Sequence, residues 1–416
     1  MSLLAPLRHG PFRVLLAGRT ISSLGNAIAP VALAFAVLDL TGSVSDLGLV
    51  VGTRMLVNVL FLLFGGALAD RLPKNLLMVG AGVAAAVTQA AVAVLIFSDT
   101  ATIPLLIAFS ALNGMVSALA LPASSAIVPQ LVPAEIRQQA NGLNRLLFNG
   151  AYIVGAPVGG ILVAATSPAW GIAVDAAAFL VSAVCFAFIR LPSVADRTGA
   201  EKHSIVADLR IGWTEFRSRT WLWVVVAGFC VVNACLNGGS SVLGPLVADQ
   251  SIGRQSWGFV LAAQTAGMML GALVAMRIRV RRLLLFGVSC TGFVVLPLLS
   301  LGVAPTLWLL LGTMFVAGLA IEQFGVAWET TMQEHVPADK LARVYSYDMV
   351  GSFVAIPVGQ VAAGPIAEAV GVPATLVGAA VLIMLAVLGM LSRRDVRHLR
   401  HELPERRVRP VKELVT

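Results

Sequence analysis

Among the acidic side chains that interrupt apolar stretches of this 416-residue sequence, four are its best-placed groups for carrying a proton: Asp175, Glu322, Glu329 and Asp348. An ionisable side chain in the middle of a membrane helix costs about 2.5–3.5 kcal/mol, so each needs a role or a partner. Glu322 and Glu329 are seven residues apart and share one helix face. With Asp348 they are predicted to form a proton relay; the alternative is static pairing, for example of Asp348 with Arg343.

Other polar side chains recur within the apolar stretches, at offsets of three, four or seven residues. Such offsets place them on one helix face, and a polar face in a membrane must contact a cavity or another helix. Hydrogen bonding between helices is the alternative, at about 0.6 kcal/mol per contact. The residues predicted to line a substrate cavity are Arg19, Asn26, Arg54, Asn58, Asn113, Asn149, Tyr152, Asn233, Asn237 and Gln264.

No motif for enzyme, cofactor or metal chemistry accompanies these side chains. The sequence contains no phosphate-binding G-x-x-x-x-G-K-[ST], no nucleophile elbow and no H-E-x-x-H. Its four cysteines lack the spacing of metal ligands and are expected to be small buried side chains. We therefore expect a protein that is not an enzyme and needs neither cofactor nor metal.

The elements that must position these residues are membrane helices. Apolar residues make up 58% of the sequence and charged residues 12%, against roughly 25% charged residues in soluble domains. A helix needs about 20 mostly apolar residues to cross a bilayer. An all-α membrane protein with twelve transmembrane helices is predicted, at 12–38, 46–69, 76–97, 103–127, 141–165, 169–189, 221–247, 256–276, 283–303, 305–328, 343–369 and 373–391.

Most of the basic residues fall on one side of the predicted membrane. Most lie near the N-terminus, at 71–74, in the centre of the chain, at 277–282 and after 393, all on one side of twelve alternating spans. Loops rich in Lys and Arg stay in the cytoplasm, so both termini are predicted to be cytoplasmic. This sorting, rather than nucleic-acid binding, accounts for the net charge of +8.

The two halves of the sequence repeat each other. Residues 131–135 (LVPAE) match 335–339 (HVPAD), and Pro-Val-Gly recurs at 157–159 and 357–359. Repeats that occur in the same order in both halves indicate a duplication. A duplicated transporter is expected to have its substrate cavity between two six-helix halves. The predicted domains are a bundle at 1–190, a cytoplasmic loop with an amphipathic segment at 191–219, a bundle at 220–392 and a basic tail at 393–416.

The loop after the second span combines small, acidic and basic residues: Gly66, Asp70, Arg71 and Lys74. It resembles the signature loop between the second and third helices of the major facilitator superfamily. An aspartate beside basic residues can bond the facing half in one conformation and release it in another, so we predict a conformational latch. An ordinary positively charged cytoplasmic loop is the alternative.

The fifth span carries small residues around a proline: Gly155, Pro157, Gly159 and Gly160. This pattern predicts a kinked, tightly packed helix. It resembles the antiporter motif G-P-x-x-G-G, which in the superfamily is associated with exporters. The alternative is that Gly and Pro are simply frequent in membrane helices.

Three further segments, 12–22, 37–43 and 140–143, resemble the bacterial branch of the superfamily that includes macrolide-efflux and enterobactin-exporter proteins. The resemblance implies a multidrug or siderophore exporter of the inner membrane that works as a proton antiporter. In that branch the position of Asn26 is commonly acidic, so here proton coupling would fall to Glu322 or Asp348.

The sequence therefore predicts a secondary transporter that exports a hydrophobic or amphiphilic small molecule, such as a drug, secondary metabolite or siderophore, in exchange for protons. We expect a monomer in the lipid bilayer, without a nucleic-acid partner. A proton-coupled importer on the same fold is the main alternative. A membrane sensor that transports nothing is a weaker one.

Overall fold

A computed structural model describes residues 5–71, 74–133, 136–189, 213–278 and 280–400. Within these ranges the side chains at 62–71, 74, 121–126, 129, 138, 338–339 and 342–343 are not described. Twelve of the described helices are long and apolar enough to cross a membrane, and the predicted count of twelve is confirmed.

The first six helices form the N-terminal bundle. Each crossing is one continuous helix, and the connections between crossings are short. The helices are α1 (Gly10–Thr41), α2 (Val44–Arg71), α3 (Lys74–Phe97), α4 (Ile103–Leu131), α5 (Arg137–Ala165) and α6 (Pro168–Ala187).

The second six form the C-terminal bundle, in which three crossings are built from consecutive segments. They are α7 (Thr220–Ser251), α8 (Arg254–Ala275), α9 (Leu283–Val303), α10 (Leu307–His335), α11 (Ala338–Phe353 followed by Ile356–Val370) and α12 (Val372–Ser392). A short helix, α13 (Arg394–His398), follows.

Two glycines with positive φ angles allow short turns between consecutive helices. Gly42 ends α1 with a left-handed φ of 66°, and its amide donates a hydrogen bond to the Leu38 carbonyl. Gly371, at φ 91°, joins α11 to α12. Only glycine adopts such angles without strain, so the chain reverses within two residues and neighbouring helices start side by side.

The twelve crossings alternate in direction, so the start of α1 and the end of α12 lie on the same side, called here the terminal face. The α1–α2 turn at 42–43 lies on the opposite side, the far face. Several helices extend beyond their predicted spans towards the terminal face. For example, α10 continues to His335 against a predicted end at 328, because its last turns are polar and leave the apolar region without a helix-breaking residue.

The duplication is visible in how the two bundles pack. An added Cβ at Gly159 would meet Ile28 of α1, and one at Gly359 would meet Ala234 of α7. These are the same contact in each bundle, fifth helix on first and eleventh on seventh. The repeated Pro-Val-Gly therefore has a physical role, because it lets two backbones approach closely.

The bundles meet along two helix pairs, α5 with α8 and α2 with α11. An added Cβ at Gly258 would lie closer than 3.0 Å to the backbone of Ala156, and one at Gly48 equally close to the Gln360 carbonyl. Gly48 lies one turn from the start of α2, and Gly258 one turn from the start of α8. The tight contacts therefore lie on the far-face half of the molecule.

A helical segment at 213–218 docks on the terminal face of the C-terminal bundle. The Lys340 ammonium lies 3.0 Å from one carboxylate oxygen of Glu215, and the Arg219 guanidinium 2.6 Å from the other. These bonds lower the pKa of the Glu215 carboxyl, and the bond from Lys340 is the larger cause. This segment is the end of the predicted amphipathic stretch, and the predicted domain bounds remain a prediction.

Candidate functional site

Two polar cavities lie against each other at the centre of the molecule. The N-bundle cavity has a volume of about 520 Å³, and its described lining comes from helices α1 to α6. The central cavity, of about 540 Å³, lies between the bundles. Four side chains line both cavities and mark the boundary between them: Asn26, Arg54, Ser117 and Tyr152.

The chamber formed by the two cavities runs towards the terminal face. Arg19, Met78 and Phe186 line its outer part and lie on the terminal-face portions of α1, α3 and α6. The lining of the chamber therefore leads towards the terminal face.

The predicted cavity residues divide into two groups. Seven line one or both cavities: Arg19, Asn26, Arg54, Asn58, Tyr152, Asn237 and Gln264. Asn113 is buried behind the chamber beside Thr88, Asn233 donates a hydrogen bond to the Ser352 carbonyl, and Asn149 lines neither cavity. The central cavity also includes Ser240 and Ser241, which the prediction omitted.

These two serines are brought into the chamber by a π-helical turn in α7. The turn spans Gly238–Leu243, where Gly238 leaves no room for a side chain beside the Gly359 carbonyl. An extra residue per turn shifts the helix face, and such turns are frequent at functional sites. Two adjacent glycines were the only sequence signal for it.

Arg54 is the cation at the boundary of the two cavities. It lies in the middle of α2, where its own backbone packs against Gly114 of α4. Its guanidinium makes no hydrogen bond or ion pair with the described part of the chain, although it lies within electrostatic range of Asp175. A guanidinium has five N–H donors, so Arg54 presents an unused donor array to the chamber.

Asp175 lies behind Arg54, fully buried in α6. Its Oδ2 accepts a hydrogen bond of 2.5 Å from the amide of Gln89, whereas its Oδ1 has no hydrogen-bond partner among the residues that the structure describes. Oδ1 faces Gly25 of α1, where any side chain would collide with it. Gln89 was not predicted, and nothing in the local sequence connects it with a residue 86 positions away.

Glu322 pairs with a residue of the other bundle. The Arg145 guanidinium of α5 donates to Glu322 Oε1 of α10 at 2.9 Å. The Arg145 side chain is 68% exposed, whereas that of Glu322 is 10% exposed. The buried partner is therefore the carboxylate, and the cation reaches it from the opposite bundle.

The three predicted relay carboxylates are held separately. Asp348 accepts hydrogen bonds from Trp328 at 3.0 Å and from Ser352 at 3.1 Å. Glu329 is exposed and accepts a bond of 3.4 Å from Gln333. Within the described chain no hydrogen bond joins Glu322, Glu329 and Asp348 to one another, and no cluster of His, Cys, Asp or Glu could hold a metal.

On the far face, side-chain contacts join the two bundles. Arg254 of α8 donates to both carboxylate oxygens of Asp39 in α1, at 2.8 and 2.5 Å, and to Asp249 of α7 at 2.7 Å. Its guanidinium also lies 4.9 Å from the centre of the Phe35 ring. Asp39 and Arg254 were not predicted as site residues, although both sit beside turns on the same predicted side of the membrane.

A second tie across the far face joins α2 to α11. The Ser45 hydroxyl donates to the Glu368 carboxylate at 2.7 Å. An added Cβ at Gly364 would collide with Ser45. Polar bonds and close backbone contact thus coincide where the chamber ends.

The two predicted motifs fall in different parts of the structure. Gly155 and Gly159 pack on α1, Gly160 contacts the Arg254 carbonyl of the other bundle, and Pro157 lies inside α5. The side chains of the predicted latch residues are not described, so the latch remains a prediction: Gly66, Asp70, Arg71 and Lys74.

Comparison with known sequences gives a consistent set of relatives. The MFS-type transporter YfiS of Bacillus subtilis (strain 168) is 27% identical, over 91% of this chain and 92% of its own. The multidrug efflux pump Tap of Mycolicibacterium fortuitum is 26% identical, over 92% and 95%. Macrolide efflux protein A of Streptococcus pyogenes is 22% identical, over 87% and 90%.

Solved structures show the same fold. The nucleoside transporter NupG matches with a TM-score of 0.75 at 13% identity, covering 92% of this chain and 98% of its own. The D-xylose-proton symporter matches with a TM-score of 0.68 at 15% identity, covering 91% and 96%. At this identity the likeness establishes the architecture and leaves substrate and direction open.

The family description "transmembrane secretion effector" matches residues 1–409, almost the whole chain. The two six-helix bundles around a polar chamber agree with this match. The chain therefore belongs to the transmembrane secretion effector family of the major facilitator superfamily and is a multi-pass membrane transporter of a small molecule.

Proposed function

We propose that the protein exports a hydrophobic or amphiphilic small molecule, such as a drug, secondary metabolite or siderophore, across the bacterial inner membrane in exchange for protons. The observation that carries this proposal is a polar chamber that is closed by ion pairs at the far face and runs towards the terminal face. The efflux relatives support outward transport.

The distribution of basic residues orients the molecule. Basic residues cluster in the loops and tail of the terminal face, so we place this face and both termini in the cytoplasm. The structure then corresponds to an inward-open state. Substrate would enter the chamber from the cytoplasm or the inner leaflet, and export would require the far-face ties to open.

Glu322 is the carboxyl group that best connects a proton with the movement of the bundles. While ionised, it bonds Arg145 of the opposite bundle. Protonation from outside would remove that bond in the empty outward-open carrier, and release of the proton into the cytoplasm would restore it. One proton then moves inward between two export steps, as antiport requires.

The remaining predicted carboxyl groups keep secondary positions in this proposal. Asp175 and Asp348 are bonded within their own bundles, and Glu329 is exposed. Protonation of any of them would change a contact inside one bundle only. We propose that the transporter acts as a monomer, since one chain contains both bundles and the whole chamber.

Everted membrane vesicles test export and coupling together. A panel of anionic, neutral and cationic fluorescent amphiphiles should include one that accumulates on energisation and leaks out with an uncoupler. Glu322→Gln should lower that accumulation at least about tenfold, because the side chain can no longer exchange a proton. Asp99→Asn is the matched control, as it also removes one carboxylate but from an exposed turn.

Three results would contradict the proposal. Energised uptake of the probes into intact cells would make the protein an importer. Accumulation by Glu322→Gln at the rate of the parent would remove Glu322 from the coupling step. A protein that transports no probe but changes a cellular response would instead be a sensor.

A further inference from the structure

The chamber wall is positive at its centre. Arg54 lines both cavities, and its guanidinium has no hydrogen-bond or ion-pair partner among the described residues. Arg19 adds a second guanidinium to the N-bundle cavity. No aspartate or glutamate belongs to the described lining of either cavity.

Asp175 lies within electrostatic range of Arg54 and Tyr152, but it contributes no surface to the chamber. It is fully buried, bonded to Gln89, and absent from the lining of both cavities. Whether it is protonated or ionised, the surface that a solute meets is the donor array of Arg54. A negative wall that could hold a cationic amphiphile is therefore missing from the described chamber.

The surroundings of Arg54 suit an amphiphile. Amides and hydroxyls approach it from several helices, among them Asn26, Asn58 and Tyr152. The same cavity contains apolar surface from Val51, Leu236 and Leu261 and from the π-helical turn. A ligand with an apolar body and one oxygen-rich head would fill both kinds of surface.

We propose that Arg54 is a substrate-recognition residue that binds an anionic oxygen group, so that the exported molecules are weakly acidic amphiphiles carrying a carboxylate, phenolate or enolate. Permanently cationic amphiphiles are excluded. Planar guanidinium is the side chain best matched to two oxygens of such a head group. This inference rests on the proposed function, because it names the substrate class of the proposed export site.

Equilibrium binding to the purified full-length protein in lipid nanodiscs tests the inference without a proton gradient. Three probes share one aromatic body: 8-anilinonaphthalene-1-sulfonate, neutral N-phenyl-1-naphthylamine and its trimethylammonium derivative. Empty nanodiscs give the lipid background. The anionic probe should bind at least about tenfold more tightly than the neutral one, equivalent to about 1.4 kcal/mol, and the cationic probe least tightly.

Variants of Arg54 locate the preference. Arg54→Gln should remove the preference for the anionic probe and leave the affinity for the neutral probe within about threefold of the parent. Arg54→Lys should keep part of the anionic preference. Arg13→Gln is the matched control, since it removes the same charge from an exposed position of α1 outside both cavities, and the order of the three probes should stay unchanged. Arg54→Gln leaves Asp175 without a nearby cation. The Arg54→Gln/Asp175→Asn double variant removes both charges, and it should also lack the preference for the anionic probe.

The outcomes separate this inference from the proposed function. Equal binding of the three probes, tighter binding of the cation, no saturable binding of the anionic probe, or an unchanged preference in the double variant would each overturn it. If the expected order holds while vesicle transport ignores an uncoupler, proton coupling fails and the Arg54 assignment stands.

Discussion

Three carboxyl groups within the crossings are stabilised in three different ways, and the difference bears on mechanism. Glu322 is bonded by a cation, Asp348 by an indole and a hydroxyl, and Asp175 by one amide. Only the first bond joins the two bundles. Proton binding at Glu322 would therefore change the relation between bundles, whereas at the other two it would change local packing.

Outside the membrane, Glu215 offers a pH test at residue scale. Its pKa is lowered by Lys340 and Arg219, so the bonds stabilise the docked segment above the ordinary glutamate pKa of about 4.3 and are lost as the pH falls through the lowered value. Glu215→Gln should increase amide hydrogen exchange at 213–218 at pH 7. The difference from the parent should shrink as the pH falls below the ordinary glutamate pKa and vanish once the pH is below the lowered pKa, and a difference that does not shrink on acidification would contradict the assignment.

At this scale the sequence identified residue types better than partners. Asp175, Glu322 and Arg54 stand out because charge is rare in apolar stretches. Gln89, which bonds Asp175, does not stand out, since a neutral amide is common in helices. Pairing between residues far apart in the chain depends on how helices pack, which single-sequence periodicity does not encode.

At the scale of elements, glycines set the distance between helices at the bundle interface. Gly258 of α8 faces the backbone at Ala156 and Pro157 of α5 so closely that no side chain fits. The sequence predicted the small residues of α5 and their tight packing. It did not indicate that Gly160 would contact the opposite bundle, because the motif is the same whichever helix it faces.

A larger residue at Gly258 should therefore separate α8 from α5 at the far-face end. We expect Gly258→Val to shift the carrier towards the outward-open state, measured as faster labelling from outside of a cysteine introduced at Ser240. Gly312→Val is the matched control, since Gly312 of α10 has nothing within 4 Å of an added Cβ. Equal labelling of both variants would show that the α5–α8 contact does not hold the far face closed.

For the whole molecule, the sequence determined the number of crossings and their duplication, and hence the two-bundle architecture. Hydropathy and internal repeats are strong signals for both. The conformational state is a different matter, because under the proposed transport cycle the same twelve helices also form an arrangement that is open at the far face. In the structure the bundles are joined across the far face by a small set of polar contacts, Arg254 with Asp39 and Ser45 with Glu368, beside the close glycine contacts.

Arg254 binds two aspartates, and only one of them joins the bundles. Asp39 belongs to the N-terminal bundle, whereas Asp249 belongs to the same bundle as Arg254. Partly exposed ion pairs contribute up to about 1 kcal/mol each, which corresponds to a shift of about fivefold between two states. Asp39→Asn should therefore open the far face measurably, while Asp249→Asn, with the same chemical change beside the same guanidinium, should not.

Spin labels at Thr41→Cys and Ser251→Cys, in a background without the four native cysteines, would report this opening as a distance across the far face. The parent and Asp249→Asn should give one short distance, and Asp39→Asn should add a longer population. Similar distributions for the two variants would mean that Arg254 stabilises the C-terminal bundle only. The closed far face would then depend on the glycine contacts and the Ser45–Glu368 bond, since these are the remaining described ties between the bundles on that side.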